Sequence, residues 1–221
     1  MTTTRVMTGV LVAIGIAAGA ATATRTRPAG EARDAAIARP ADKATTRTGV
    51  RRLKKGDALP EFALTNDAGR PFTSADLRGH VTVVTFMFTR CPVPEFCPLM
   101  AKRFHQLQRN LEAEPSLRHV RLLGITLDPA FDRPEVLHAY ATAMGADPAR
   151  WQFLTGTPEE VARLTSAFSI HVERNGALLD HTLATALIDA DGRITDFWRG
   201  NGWTTAEVTD ALRRVTRNET E

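Results

Sequence analysis

The sequence predicts an α/β fold, in which a central mixed β-sheet is flanked by helices, from three observations. Short apolar runs rich in β-branched and aromatic residues, which are typical of buried strands, alternate with segments whose apolar residues recur at helical spacing. The composition is that of a soluble globular protein, with 43% hydrophobic and 24% charged residues. The C-terminal part adds two further strand patterns before a last helix. Alternating strands and helices form a sheet that helices cover on both faces.

A β-hairpin is predicted at the start of the folded part. The segment 59–65 has strand character, Asn66–Gly69 is a turn signal, and Pro71 begins a return strand. After this hairpin, residues 81–88 (VTVVTFMF) are apolar or β-branched throughout. Such a run predicts a central strand that is buried on both faces.

Prolines and glycines mark the ends of the next elements. Pro98 begins a helical pattern, which Glu114-Pro115 closes. Pro134 opens a second helix, and Gly145 stops it. The other elements predicted in this part are a strand over 120–126, a strand over 151–154 and a helix over 158–168.

The C-terminal part predicts strands followed by a helix. A hairpin over 170–183 turns at Asn175-Gly176, and Thr204 is the expected N-cap of the last helix. Between them the pattern predicts strands over 183–188 and 194–198 and, after Thr204, a helix to about residue 217. Thioredoxin-like domains end in this order of strand, strand and helix. We therefore predict a thioredoxin-like fold for residues 56–221, with an N-terminal β-hairpin extension.

Residues 1–23 predict a signal peptide or a membrane anchor. Arg5 precedes an apolar run, and residues 21–23 form a small-x-small cleavage pattern. Residues 24–55 are rich in Ala, Arg, Thr and Pro, which predicts a disordered linker. We therefore expect an exported domain, periplasmic or otherwise extracytoplasmic, either soluble after cleavage or tethered to the cytoplasmic membrane through residues 6–23.

The distribution of charge disfavours a nucleic-acid partner. The formal net charge is +3, but residues 1–55 carry 11 Lys and Arg against three Asp and Glu, whereas residues 56–221 carry 17 against 22. The positive charge therefore belongs to the linker, and the folded part is mildly acidic. A nucleic-acid-binding domain carries its positive surface on the folded module.

The chain has two cysteines, Cys91 and Cys97, which follow the predicted central strand. They suit one redox pair or two thiolate ligands of one metal ion, because either arrangement needs two sulfurs close together. Prolines at 92 and 94 restrict the loop between them. Cys97-Pro98 stands at the start of a helix, where unpaired N–H groups and the helix dipole predict a lowered pKa for the thiol.

A histidine is the candidate third group. The six histidines are His80, His105, His119, His138, His171 and His181. The first four fall inside helices or just before strands and suit surface positions, and His171 is expected to pack in the core or at a sheet edge on a short strand. His181 precedes the strand 183–188, in the loop where thioredoxin-like proteins usually place a cis-proline beside the thiols. Two sulfurs and an imidazole nitrogen form a soft ligand set that favours Cu(I) and also suits Cu(II).

Three groups of residues together form a recognisable pattern. They are Phe88-Thr89-Arg90-Cys91-Pro92 with Cys97-Pro98, then Asp128-Pro129 with Asp132, Pro134 and Tyr140, and finally Asp180-His181-Thr182 with residues 187–194. Over about residues 55–216 this pattern resembles the SCO/SenC family of copper-binding proteins, which are assembly factors for cytochrome c oxidase. The resemblance implies Cys91, Cys97 and His181 as copper ligands and Asp128 as a supporting acidic residue.

The resemblance also implies a metallochaperone that holds copper, as Cu(I) or Cu(II), and delivers it to a respiratory oxidase subunit or prepares the thiols of that subunit. The family usually places three residues between its cysteines, whereas this chain has five. The longer loop keeps a second hypothesis open, a thiol–disulfide oxidoreductase that uses Cys91 and Cys97 without a metal. Glu95 in the loop would also disfavour thiolates nearby.

A peroxiredoxin-type peroxidase is the third and weakest hypothesis. In that family a Thr lies three residues before the reactive Cys, and a Pro lies four residues before that Thr. The corresponding residues are Phe88 and Val84 for Cys91, and Pro94 and Arg90 for Cys97, so neither cysteine fits.

Overall fold

The computed structural model describes residues 52–176 and 178–218, which form strands and helices in the order that the sequence predicts. The strands are β1 (Ala63–Asn66), β2 (Pro71–Thr73), β3 (Thr82–Met87), β4 (Arg121–Thr126), β5 (Trp151–Thr155), β6 (Val172–Asn175), β7 (Leu178–His181), β8 (Ala184–Ile188) and β9 (Ile194–Arg199). The helices are α1 (Cys97–Ala113), α2 (Pro134–Met144), α3 (Pro158–Ala167) and α4 (Thr205–Asn218). The predicted signal peptide or anchor and most of the predicted linker lie outside the described residues.

Seven of these strands form one mixed sheet in the order β2-β1-β5-β4-β3-β8-β9. The pairs β3–β4 and β4–β5 are parallel, and the remaining pairs are antiparallel. The hairpin of β1 and β2 joins the sheet through β5, as an extension at one edge. The predicted α/β class, with a mixed sheet flanked by helices, is confirmed.

The central strand β3 lies between β4 and β8, and each of its six residues is buried. All five residues of β8 are buried as well. This agrees with the unbroken apolar run that predicted a strand covered on both faces. Helix α1 adds Phe104, Leu107 and Leu111 to the core, each 1% exposed or less, at the spacing of one helical face.

Strand directions bring three loops to the same end of the sheet, at the carboxyl ends of β3 and β4. Because β3 and β4 are parallel, their carboxyl ends lie side by side, and residues 88–91 and 127–128 follow there. Strand β8 runs the opposite way, with Thr85 of β3 opposite Thr185. The residues just before β8, from His181 onward, therefore reach the same end of the sheet as the thiol loop, the segment between β3 and α1 that carries Cys91.

The strands β6 and β7 form a separate two-stranded sheet. They turn at Asn175-Gly176, as predicted, and Val172 pairs with His181 at the open end of the hairpin. His171 precedes β6, and its side chain is 70% exposed. The expected core position of His171 is therefore wrong. Its backbone oxygen accepts from the N–H of Thr182 at 3.0 Å, so the residue lies at the open end of the two-stranded sheet with its ring exposed. Among the helices of the described residues, none is long and apolar enough to span a membrane.

The close packing of β4 gives a test of the fold. A Cβ added at Gly124 would lie 2.8 Å from Cδ1 of Phe153, whose ring is held between Trp151 and Tyr140. We expect Gly124→Ala to lower the free energy of unfolding by about 1–3 kcal/mol, since overpacking a core forces its neighbours to move. Chemical denaturation measures this change.

The matched control is Gly202→Ala, since a Cβ at that position meets no atom within 4 Å. It should change the free energy of unfolding by less than about 0.5 kcal/mol. Equal effects of the two substitutions would contradict the packing described for β4.

Candidate metal centre

Three side chains with metal-binding atoms meet at the end of the sheet where β3 and β4 finish and β8 begins. Cys91 lies in the loop between β3 and α1, Cys97 is the first residue of α1, and His181 is the last residue of β7. Their ligand atoms all lie within 4.8 Å of one another. The Sγ atom of Cys97 is 3.9 Å from Nε2 of His181. The structure thus brings together the three residues that the sequence singled out.

A hydrogen bond fixes the orientation of the His181 ring. Its Nδ1 atom lies 3.1 Å from the backbone oxygen of Thr182. A carbonyl oxygen can only accept a hydrogen bond, so Nδ1 carries the proton and donates it. The lone pair of the neutral ring is then on Nε2, the atom that faces Cys97. Metal-binding histidines are commonly oriented by such a bond from their other nitrogen.

Two aromatic rings enclose the imidazole. The rings of Phe88 and Phe96 meet it edge to face, at centroid distances of 5.6 and 6.0 Å. Burial between them lowers the pKa of His181, since desolvation penalises the charged ring. His181 therefore stays neutral over a wider range of pH, and the neutral ring is the form that binds metals.

The two thiols differ in their surroundings. Cys97 is 2% exposed, whereas Cys91 is half-buried. Burial raises the pKa of the Cys97 thiol, and the nearby Cys91 raises it further. The predicted lowering of this pKa by the start of the helix is wrong. Desolvation of a side chain that faces the core outweighs the favourable field of the helix end.

The longer loop between the cysteines still closes. The backbone N–H of Phe96 donates to the oxygen of Val93 at 3.0 Å, and the side chain of Asn201 donates to the oxygen of Glu95 at 2.8 Å. Residues 92–95 are exposed. The additional residues thus project into solvent, and the two sulfurs remain on the same side of the loop.

A buried carboxylate fixes the chain just before Cys91. Asp132 is fully buried, and it accepts hydrogen bonds from the backbone of Thr89 at 3.0 Å, from the hydroxyl of Thr89 and from the hydroxyl of Thr126 at 2.6 Å. Burial raises the pKa of Asp132. These bonds attach the start of the thiol loop to the end of β4.

Asp128 lies behind the site and contacts two arginines. Its carboxylate is fully buried and accepts from Nε of Arg90 at 2.8 Å and from Arg174 at 2.9 Å. It is not part of the cluster formed by the two sulfurs and the imidazole. Sequence reasoning named Asp128 as a supporting residue but missed Arg90 and Arg174 as its partners, because no sequence motif marks their pairing.

These features define the class of protein: a thioredoxin-like α/β domain with a soft, three-ligand candidate metal site at one end of its sheet. The chain matches the SCO1/SenC family over residues 51–217, and it belongs to that family.

Known relatives and solved structures agree with this assignment. The SCO2 homologues of cattle and human mitochondria are each 31% identical over 160 residues, which cover 70% of this chain and 58% of the relative. The chain therefore spans about three-fifths of the length of these relatives. One similar solved structure is the ScoI protein of Bradyrhizobium japonicum with copper bound. It is 25% identical, with a TM-score of 0.61, and the match covers 73% of this chain and 99% of that chain. Another is yeast Sco1 with copper bound, which is 25% identical with a TM-score of 0.62, and the match covers 75% of this chain and 90% of that chain. A SCO1/SenC family lipoprotein from Bacillus anthracis is 29% identical, with a TM-score of 0.66 over 75% and 98%.

The unequal burial of the thiols predicts unequal reactivity. In the reduced, metal-free protein at pH 8, iodoacetamide should alkylate Cys91 at least about tenfold faster than Cys97, because the reactive thiolate of Cys97 is suppressed and shielded. Peptide mass spectrometry over a time course measures both rates. Unfolding in guanidinium should make the rates similar. Equal rates in the folded protein would contradict the described site.

Proposed function

We propose that this protein is a copper metallochaperone that holds one copper ion through Cys91, Cys97 and His181. Its recipient is a subunit of cytochrome c oxidase, and it acts outside the cytoplasm. Cleavage of the predicted N-terminal segment would release the domain there, and an uncleaved segment would tether it to the membrane. The observation that carries the proposal is the convergence of two sulfurs and one imidazole nitrogen within 4.8 Å. The copper bound to the similar B. japonicum and yeast proteins supports it.

The ligand set suits copper in both oxidation states. Thiolates favour Cu(I), and the imidazole nitrogen also suits Cu(II). Two ligand atoms that each lie about 2.2 Å from one ion are about 3.5–4 Å apart, which is close to the separation of 3.9 Å between Cys97 Sγ and His181 Nε2. Copper would displace the proton of the Cys97 thiol, since thiols bind metals in the deprotonated form.

Exposure at the site suits the release of copper to a partner. Cys91 and His181 are half-buried, and the loop beside them, residues 92–95, is exposed. A ligand from a recipient can therefore approach the metal from the solvent side and replace the protein's ligands one at a time. The more deeply buried sulfur of Cys97 would be the last ligand to dissociate from the copper ion.

A second function uses the same sulfurs. Both cysteines are free, and their sulfurs lie within 4.8 Å, so small movements of the loop suffice to join them. As a thiol–disulfide oxidoreductase, the dithiol would pass two electrons and two protons to a disulfide in a partner and become the Cys91–Cys97 disulfide. Such a step could prepare the thiols of the copper recipient.

Copper titration of the reduced protein tests the main proposal. Wild type should bind one equivalent of Cu(II) with a sulfur-to-copper charge-transfer band, and Cys91→Ser should weaken or shift that band because it removes one of the two thiolates that produce it. His181→Ala should weaken Cu(II) binding by about tenfold or more, since it removes the nitrogen ligand. His171→Ala, which changes an exposed ring, is the matched control and should behave as wild type.

The same variants distinguish the two functions. His181→Ala should reduce a disulfide substrate, such as oxidised glutathione, at close to the wild-type rate, because both thiols remain. Wild-type Cu(II) affinity in His181→Ala would remove His181 from the site and refute the three-ligand proposal. Absence of copper binding in wild type, together with active disulfide exchange, would favour the oxidoreductase instead.

A further inference from the structure

Asp128 joins two segments that carry different ligands of the candidate site. Its Oδ2 atom contacts Arg90, with distances of 2.8 Å to Nε and 2.7 Å to Nη2. Its Oδ1 atom accepts from Nη2 of Arg174 at 2.9 Å. Arg90 immediately precedes Cys91, and Arg174 lies on β6, in the hairpin that ends at His181. One carboxylate thus links the thiol loop to the histidine hairpin.

The histidine hairpin, β6 and β7, packs on the core through Leu179 but has no strand partner in the main sheet of the described residues. It is a two-stranded sheet outside the seven-stranded sheet, and an isolated two-stranded hairpin is only marginally stable in water. Arg174 pairs with Leu179, which is 7% exposed, and Val172 pairs with His181. A force that holds Arg174 in place is therefore transmitted through the paired strands to the imidazole.

The energetics favour a persistent contact. Asp128 is 0% exposed, so its carboxylate requires partners in the protein. Arg90 occupies one oxygen through two nitrogens, and its guanidinium also stacks over the ring of Phe131 at 4.3 Å. The second oxygen is left for Arg174. Charge-assisted hydrogen bonds to a buried carboxylate are among the strongest in proteins.

We propose that Arg90, Asp128 and Arg174 form a clasp that positions the imidazole of His181 over the two sulfurs. These residues do not bind the metal; they are positioning residues. With the clasp intact, the nitrogen ligand is held in place before copper arrives. Without Arg174, the hairpin moves more freely, and the thiols remain where they are. The clasp should therefore matter most for Cu(II), which uses the nitrogen ligand, and much less for Cu(I), which two thiolates can hold.

Arg174→Ala is the variant that tests the clasp, because it should fold. Arg174 is 51% exposed, and its removal leaves Arg90 paired with Asp128. Removing Asp128 itself would disturb the buried end of β4 as well. The copper readout rests on the proposed function. We expect Cu(II) affinity to fall by about 10–100-fold and the charge-transfer band to weaken or shift, with Cu(I) affinity changed by less than about threefold.

Two controls and a rescue variant isolate the effect. Arg163→Ala removes an exposed arginine that pairs with Glu160 on α3, and Glu173→Ala removes the residue next to Arg174 on the same strand. Both should bind Cu(II) as wild type does. Arg174→Lys should recover much of the lost affinity, because the contact with Asp128 uses a single nitrogen of Arg174.

A measurement without copper separates this proposal from the proposed function. Hydrogen–deuterium exchange in residues 172–181 of the metal-free protein should be several-fold faster in Arg174→Ala than in wild type or Arg163→Ala. If wild type binds no copper, the proposed function fails, and the exchange rates alone decide whether the clasp exists. If wild type binds copper, unchanged Cu(II) affinity in Arg174→Ala overturns the clasp. Equal losses of Cu(I) and Cu(II), with faster exchange across the whole domain, overturn it too.

Discussion

The structure depends on the antiparallel pairing of β8 with the central strand β3. That pairing places the residues before β8 beside the residues after β3, and the parallel pairing of β3 with β4 adds the loop that carries Asp128. Cys97 and His181 are 84 residues apart in the sequence. They meet because a rigid, fully buried part of the sheet sets where each loop begins. A shift of β8 by one residue would turn its side chains to opposite faces and misplace the histidine.

Around this scaffold, each ligand is held in a different way. Cys97 is fixed by burial at the first turn of α1, and His181 is held by the Thr182 carbonyl and two aromatic rings. Cys91 lies on an exposed loop that is held near both ends, through Thr89 and Asn201. A deep sulfur, an oriented nitrogen and a more accessible sulfur suit the proposed metallochaperone, which would both hold copper and release it.

Much of the fold could be predicted from sequence because its elements carry strong local signals. Pro98, Pro134 and Pro158 each stand in the first turn of a helix, and Gly145 ends α2 in the left-handed conformation that glycine adopts without strain. The Asn-Gly turn at 175–176 identified the histidine hairpin. The three candidate ligands were predicted from residue type, order and family resemblance.

What the sequence could not show depends on the tertiary structure. The pKa of Cys97 depends on how deeply the side chain is buried, and a local helix-start rule gives the wrong direction. The contacts of Asp128 with Arg90 and Arg174 join residues up to 46 positions apart, without a spacing rule that would indicate them. The exposure of the His171 ring likewise depends on tertiary packing, since the backbone of this residue bonds to Thr182 while the ring faces solvent.

X-ray absorption at the copper edge is the sharpest test of the three-ligand site, because it counts the atoms bound to the metal. The wild-type protein loaded with one equivalent of Cu(II) should show two sulfur scatterers and at least one imidazole nitrogen, with the imidazole signal missing in His181→Ala. A spectrum with sulfur ligands alone, or with an imidazole signal that survives in His181→Ala, would contradict the three-ligand site.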